Sequence, residues 1–204
     1  MESINVNFNN LTKAEKEQFL KLVKKANSTT AMLSEIRGGD TFKIGDITFI
    51  KFTDADGVTT AMAKECIFES VFGSNNNFAD SDILKRLNKD VLPKIADEIG
   101  DKNILEFDTD LTALDGVKTY GKITSKVSLP TLDFYREYVD IFDKYKIDKY
   151  FWLATPWSAL PHYNSSCVLC VSPSGGVNLI YYFNYFGVRP FFRFVSSISV
   201  SREE

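Results

Sequence analysis

Residues 151–190 read FWLATPWSALPHYNSSCVLCVSPSGGVNLIYYFNYFGVRP and carry one charged side chain, Arg189. Of the 51 acidic and basic residues in the chain, 46 precede residue 151, and between 151 and 201 only Arg189 and Arg193 are charged. Charged side chains are almost never fully buried, so solvated segments normally carry them. A stretch this long without them is therefore either the interior of a fold or a surface built to touch another molecule. It is no membrane span, because Pro156, Pro161, Pro173, Gly175 and Gly176 interrupt it. Its apolar runs, 151–154, 167–171, 177–182 and 188–194, are short and separated by Pro, Gly, Asn and Ser, which is the punctuation of strands.

The charged part of the chain reads differently. Thr12 and Glu15 have capping-box spacing, and Phe19, Leu22, Val23 and Ala26 follow at helical intervals, predicting a helix over 12–27. Residues 28–40 read as a connector. Strands are expected at 41–44, 47–52 and 59–66, with turns at 45–46 and 54–57. Asp54-x-Asp56-Gly57 opens like a calcium loop but lacks the later acidic ligands, so a hairpin turn is the better reading. Asp80 or Ser81 caps a helix bearing Leu84, Leu87 and Val91, and Pro93 is expected to break it and start a second one over 93–99. Thr131 caps another helix, with Phe134, Tyr138, Ile141, Phe142 and Tyr145 facing inward. The fold class is α+β, with mainly antiparallel strands and three or four helices. The expected organisation is an N-terminal helix and connector over 1–38, followed by one α+β domain over 39–204.

Totals exclude some functions. A net charge of −3 and a pI near 5.3 give no basic footprint, so no nucleic acid is expected as a partner. The first residues have neither a basic nor an apolar signal region, and no membrane association is expected. Cys66, Cys167 and Cys170 are an odd set with one close pair, which suits reduced thiols in a cytoplasm.

Several motifs carry a resemblance. Tyr150-Phe151-Trp152-Leu153-Ala154-Thr155-Pro156, then Val171-Ser172-Pro173-Ser174-Gly175, then Gly187-Val188-Arg189-Pro190 resemble an uncharacterised domain common in Firmicute genomes, prophages and phages. Phe72-Gly73-Ser74-Asn75-Asn76-Asn77-Phe78, with Ser81, Leu84 and Leu87-Asn88 after it, is similar to that family's Asn-rich loop and short helix. The match runs in order over residues 40–195. Its ending also resembles the C-type-lectin-like fold shared by formylglycine-generating enzymes and phage variable receptor-binding proteins. The resemblance implies that architecture and a phage or prophage origin. It implies no chemistry.

Candidate chemistry is sparse. His162, Cys167 and Cys170 supply three soft ligands, one short of a structural zinc site, and on a strand the two thiols would point to opposite faces. A Cys–His nucleophile would depend on the only His of the chain, in a Pro-flanked loop without an evident orienting carboxylate. No phosphate-cradling loop occurs, so neither enzyme activity, metal nor cofactor is expected. Arg189, set between Val188 and Pro190, reads as a buried structural pin together with Trp152 and Pro190. Its partner is expected to be a carboxylate from the first 150 residues or main-chain oxygens, the alternative being an anion in a pocket.

On a strand through 180–186, Tyr181, Phe183 and Tyr185 would share one face and Tyr182, Asn184 and Phe186 the other. One set would fill the core and one stand in solvent, unless both are buried. The candidate binding residues are Trp157, His162, Tyr163, Asn164, Tyr182, Asn184 and Tyr185, since Tyr, Trp and Asn make contact surface at small entropy cost. Between Ser158 and Ser201 the chain also lacks Lys, Glu, Gln, Met and Trp, the residues that codons ending in C cannot encode. A region diversified by an adenine-directed retroelement has that composition, and so does a plain β core. The expected function is a non-catalytic phage or prophage accessory or display protein that binds a protein or glycan. It is made in the cytoplasm, and the residues leave open whether it joins a virion and whether it oligomerises. Its rivals are a cytoplasmic inhibitor of a host defence protein, acting through the acidic helices of 80–145, and a Cys/His-dependent enzyme.

Overall fold

The computed structural model describes residues 11–27, 30–160 and 165–202. Helix α1 (Lys13–Asn27) opens with the expected reciprocal cap: Thr12 N donates to Glu15 Oε2 at 2.8 Å, and Glu15 N donates to Thr12 Oγ1 at 3.3 Å. On this helix Leu20 and Val23 face solvent, while the side chains of Leu22 and Ala26 lie outside the described residues.

The connector expected over 28–40 carries structure of its own. Strand β1 (Thr30–Met32) pairs with the last strand of the chain, Ala31 opposite Val200, and Leu33 after it is fully buried. The sheet of the body therefore begins ahead of a boundary at residue 38. Strands β2 (Thr41–Ile44), β3 (Ile47–Ala55) and β4 (Val58–Ala63) form the expected meander. The β3–β4 turn is the two-residue Asp56-Gly57 loop, with φ of 52° and 76°, the positive values that such hairpins require. Asp54 is thereby committed to structure. Its carboxylate takes Lys51 Nζ at 2.6 Å, Thr59 Oγ1 at 3.2 Å and Ser196 Oγ at 2.9 Å.

Strand β5 (Phe68–Ser70) leads to the Asn-rich loop. Helix α2 (Asp82–Arg86) is capped by Ser81 Oγ, which accepts from Leu84 N at 3.0 Å. Pro93 does not break the helix. A π-helical stretch, Leu87–Val91, carries the chain into α3 (Leu92–Ile99), where the proline falls in the first turn and its missing N–H costs nothing. Four short strands follow: β6 (Ile104–Leu105), β7 (Phe107–Asp110), β8 (Lys122–Ser125) and β9 (Val127–Ser128). The helix expected after Pro130 is two short ones, α4 (Leu132–Glu137), capped by Thr131, and α5 (Val139–Lys144), parted at Tyr138. The uncharged tail forms β10 (Phe151–Pro156), β11 (Cys167–Val171), β12 (Val177–Tyr181), β13 (Phe186–Val188) and β14 (Phe191–Val195), and β15 (Ser199–Arg202) ends the chain.

The strands assort into three sheets. The largest runs β1-β15-β2-β3-β4-β14-β6, with β9 also on β14; the second runs β12-β11-β10-β13-β5; β7 and β8 pair by themselves. All pairs are antiparallel except β10 with β13. The architecture is α+β and mainly antiparallel, as expected. The central strands of both larger sheets are covered on two faces. Along β11, Val168 and Cys170 enter one core with the helical segment 82–99, and Leu169 and Val171 enter a second core with α4 and α5. On β10, Trp152 and Ala154 point one way, Phe151 and Leu153 the other. Strand β14 divides likewise, Phe192 and Phe194 against Phe191. This explains most of the charge-free tail: a strand buried on both faces has no place for a solvated side chain.

Candidate functional site

Arg189 sits at the junction of the two larger sheets and is 1% exposed. Its Nε donates to Ala63 O at 3.0 Å, and Ala63 N donates to Pro190 O at 2.9 Å, so both residues fasten the tail to β4. The guanidinium lies over the Phe151 ring at 5.0 Å and near Phe142 at 6.0 Å. The partner is thus a main-chain oxygen and two ring faces, one of the alternatives that the residues left open. Burial pulls its pKa down to about 10, which leaves it charged at neutral pH. Trp152 is fully buried between Phe72 and Phe186, and its Nε1 donates to Ser70 O at 3.0 Å. Gly187 is obligatory beside it, since any Cβ there would run into Cys66 Sγ and the Tyr150 carbonyl.

The cysteines are placed for packing. Cys167 and Cys170 lie on β11 at an odd spacing, so their thiols leave opposite faces and cannot grip one ion. Burial pushes the Cys66 thiol up to about 11 and the Cys170 thiol up to about 12, so neither is a thiolate at neutral pH. His162, which any Cys–His scheme needs, lies outside the described residues, as do Tyr163 and Asn164. Both roots of that loop are held by Asn76, which is fully buried. Its Nδ2 donates to Ser158 O at 2.8 Å and Cys167 O at 3.1 Å, and its Oδ1 accepts from Tyr120 Oη at 2.7 Å.

One part of the tail is not interior. Among the described residues, strand β12 is the outermost strand of the second sheet and pairs on one side only. Val177, Leu179 and Tyr181 stand opposite Val171, Leu169 and Cys167, so they extend the face that α4 and α5 cover over Leu169 and Val171. Beyond that cover they face solvent, at 41%, 42% and 48% exposure. The chain then turns: Asn184 N and Nδ2 both donate to Tyr181 O, at 3.0 and 3.1 Å. The turn lays Phe183 on Tyr181, ring centroids 5.2 Å apart and planes within 6°. Phe183 and Tyr185 are the most exposed large apolar side chains described, at 60% and 63%.

The strand expected through 186 ends at Tyr181 and residues 182–185 turn, yet the expected division holds in burial: Tyr181, Phe183 and Tyr185 are exposed, and Tyr182, Asn184 and Phe186 are half-buried. The correction falls on Tyr182 and Asn184 as contact residues. Tyr182 is half-buried against the first core, and its backbone is tied to Ser166 O and Phe72 N. Asn184 is half-buried and spends its amide on the turn. Trp157 is half-buried against the second core, its N bonded to Cys167 O at 3.0 Å. Of the described candidates, Tyr185 alone is freely exposed. Val177, Leu179, Tyr181 and Phe183, which the residue reading did not select, make up the rest of the open surface. The Gly175-Gly176 turn is legible in the residues; that the strand after it has no neighbour beyond it among the described residues follows only from the sheet order.

No family model, curated protein or solved structure matches the chain.

Proposed function

We propose that the chain is a non-catalytic recognition module, a phage or prophage accessory or display protein with a C-type-lectin-like arrangement, that binds a partner through the β12 edge. The carrying observation is the open face of β12, Val177, Leu179 and Tyr181, extended by Phe183 stacked on Tyr181 from the following turn. The strand pairs on one side only among the described residues; Tyr185, after the turn, is exposed as well. Natural edge strands are usually guarded by charge, and none lies between Ser158 and Val188. Exposed apolar patches of this kind mark contact surfaces. Aromatic rings held by a turn and by mutual stacking lose little entropy on binding.

A protein segment suits this surface better than a glycan. Sugars need convergent polar side chains beside the ring, and Asn184 is already committed to Tyr181 O. An extended peptide could add to the β12 edge with its own apolar side chains over Leu179 and Phe183. With no charge to steer association, specificity would rest on shape and hydrogen bonds. Among the described residues, no helix is long and apolar enough to cross a membrane.

A photo-crosslinking residue at position 183, compared with one at the exposed Asp140 on α5, tests the reading in cells that make the protein. The expected result is an adduct to one polypeptide from position 183 and none from 140. The double substitution Tyr181→Ser/Phe183→Ser should weaken that complex at least about 30-fold, the loss typical of a contact hot spot, and leave the fold intact. Adducts from 140 alone would favour the inhibitor acting through acidic helices. Carbohydrate adducts at 183 would replace the protein ligand by a glycan.

A further inference from the structure

Arg189 has a second property that its role as a pin does not use. Its Nη2 is buried and has no acceptor among the described residues. A small cavity of about 10 Å³ lies between α5 and the 172–176 turn, lined by Phe142, Phe151, Ile147 and Val171, with Lys146 and Arg189 as its cations. That is the room in which the centre of a water-sized sphere can move, enough for one small ion or group.

The other polar groups around it are spoken for. Tyr135 Oη donates to Gly175 O at 2.6 Å, and Ser172 Oγ is shared with Ser174 Oγ at 2.9 Å and Gly176 N at 3.1 Å. At the rim, Lys146 Nζ lies 3.1 Å from Asp143 Oδ1, both side chains about half exposed, so these two charges offset each other. The field inside the cavity is then that of the guanidinium. Two ring faces, one carbonyl and the longer-range charge of Glu65 compensate a buried cation only in part. A water molecule would satisfy the orphan N–H without cancelling the charge.

We propose that this cavity is a binding site for one small monovalent anion, a halide or a single carboxylate group, seated on Arg189 Nη2 and reached past the Lys146 side chain. The site is independent of the aromatic edge: it would exist whether or not β12 binds anything. It gives the closing Arg-Pro step a ligand-linked role, since an anion held there ties α5, the 172–176 turn and the junction of the sheets together.

Crystals grown in sodium gluconate, whose anion is too large to enter, and transferred to sodium bromide should show an anomalous peak within hydrogen-bond reach of Nη2. In solution the unfolding midpoint should be higher in chloride or formate than in gluconate of equal ionic strength. The shift should be about 2–4 °C at an anion concentration about five times Kd. Stabilisation by formate without a bromide peak would assign the site to carboxylates; stabilisation by both would assign it to small monovalent anions generally. Arg189→Met should lose the peak and the shift together. If that variant does not fold, the wild-type chain still decides. Equal midpoints in all three salts, with no bromide in the cavity, would overturn the proposal, and so would a peak that survives Arg189→Met.

Discussion

Trp152→Ala should lower stability by about 3–5 kcal/mol, the range for deleting a fully buried large aromatic. The indole is completely enclosed, packs on Phe72 at 5.5 Å and Phe186 at 5.0 Å, and donates from Nε1 to Ser70 O. Its removal leaves a void between the second sheet and the segment 82–99. It also orphans a carbonyl of β5, the strand that closes that sheet beside β13. Urea unfolding checks this through a lower midpoint at an unchanged slope. A loss below about 1 kcal/mol would mean that Trp152 is not enclosed as described.

Asp54→Ala should cost a comparable amount for an electrostatic reason. Lys51 is 1% exposed, and its ammonium is held by Leu33 O at 2.7 Å and Asp54 Oδ2 at 2.6 Å. Removing the carboxylate strands a buried cation, which typically costs about 3–5 kcal/mol. The double variant Lys51→Met/Asp54→Ala should recover most of that, because an apolar side chain of similar length needs no partner. Burial alone would raise the Asp54 pKa. Hydrogen bonds from Lys51, Ser196 and Thr59 and the charge of Lys51 outweigh it and hold the carboxyl below the usual value. Its stabilising contribution is therefore complete above the unfolded-chain pKa of about 3.9 and is lost as pH falls through the lower folded value. The unfolding midpoint of the natural chain should fall steeply below about pH 4. That of Asp54→Asn, which does not titrate, should fall less. Parallel curves for the two would show that the pair does not contribute.

Local rules made much of this legible in the sequence. The Thr12 and Thr131 caps, the Asp56-Gly57 hairpin and the burial of Arg189 all follow from single-residue chemistry that does not depend on distant neighbours. The misses are tertiary. Residues 30–32 are too few to read as a strand until β15, from the far end of the chain, pairs with them. Pro93 looks like a helix breaker unless a π-helical turn receives it. Strand β7 had a readable alternation, with Phe107 and Thr109 buried and Asp108 and Asp110 exposed, but its polar composition hid it. Around Tyr182 the period-two division holds in burial, with Tyr181, Phe183 and Tyr185 exposed and Tyr182, Asn184 and Phe186 half-buried. What the residues do not show is which of the two sets faces solvent, since that is set by the core on which Tyr182 packs. Which rings of the tail are interior depends on where α4 and α5 end over the second sheet.

The central claim is that the charge-free tail divides in two, a doubly covered core and one open aromatic edge. Hydroxyl-radical footprinting of the free protein, read residue by residue by mass spectrometry, measures that division directly. Tyr181, Phe183 and Tyr185 should oxidise nearly as fast as in the unfolded chain, while Trp152, Phe192 and Phe194 stay protected until the protein unfolds. Protection of Tyr181 and Phe183 to the level of Trp152 would contradict the account, and with it the surface on which recognition is proposed.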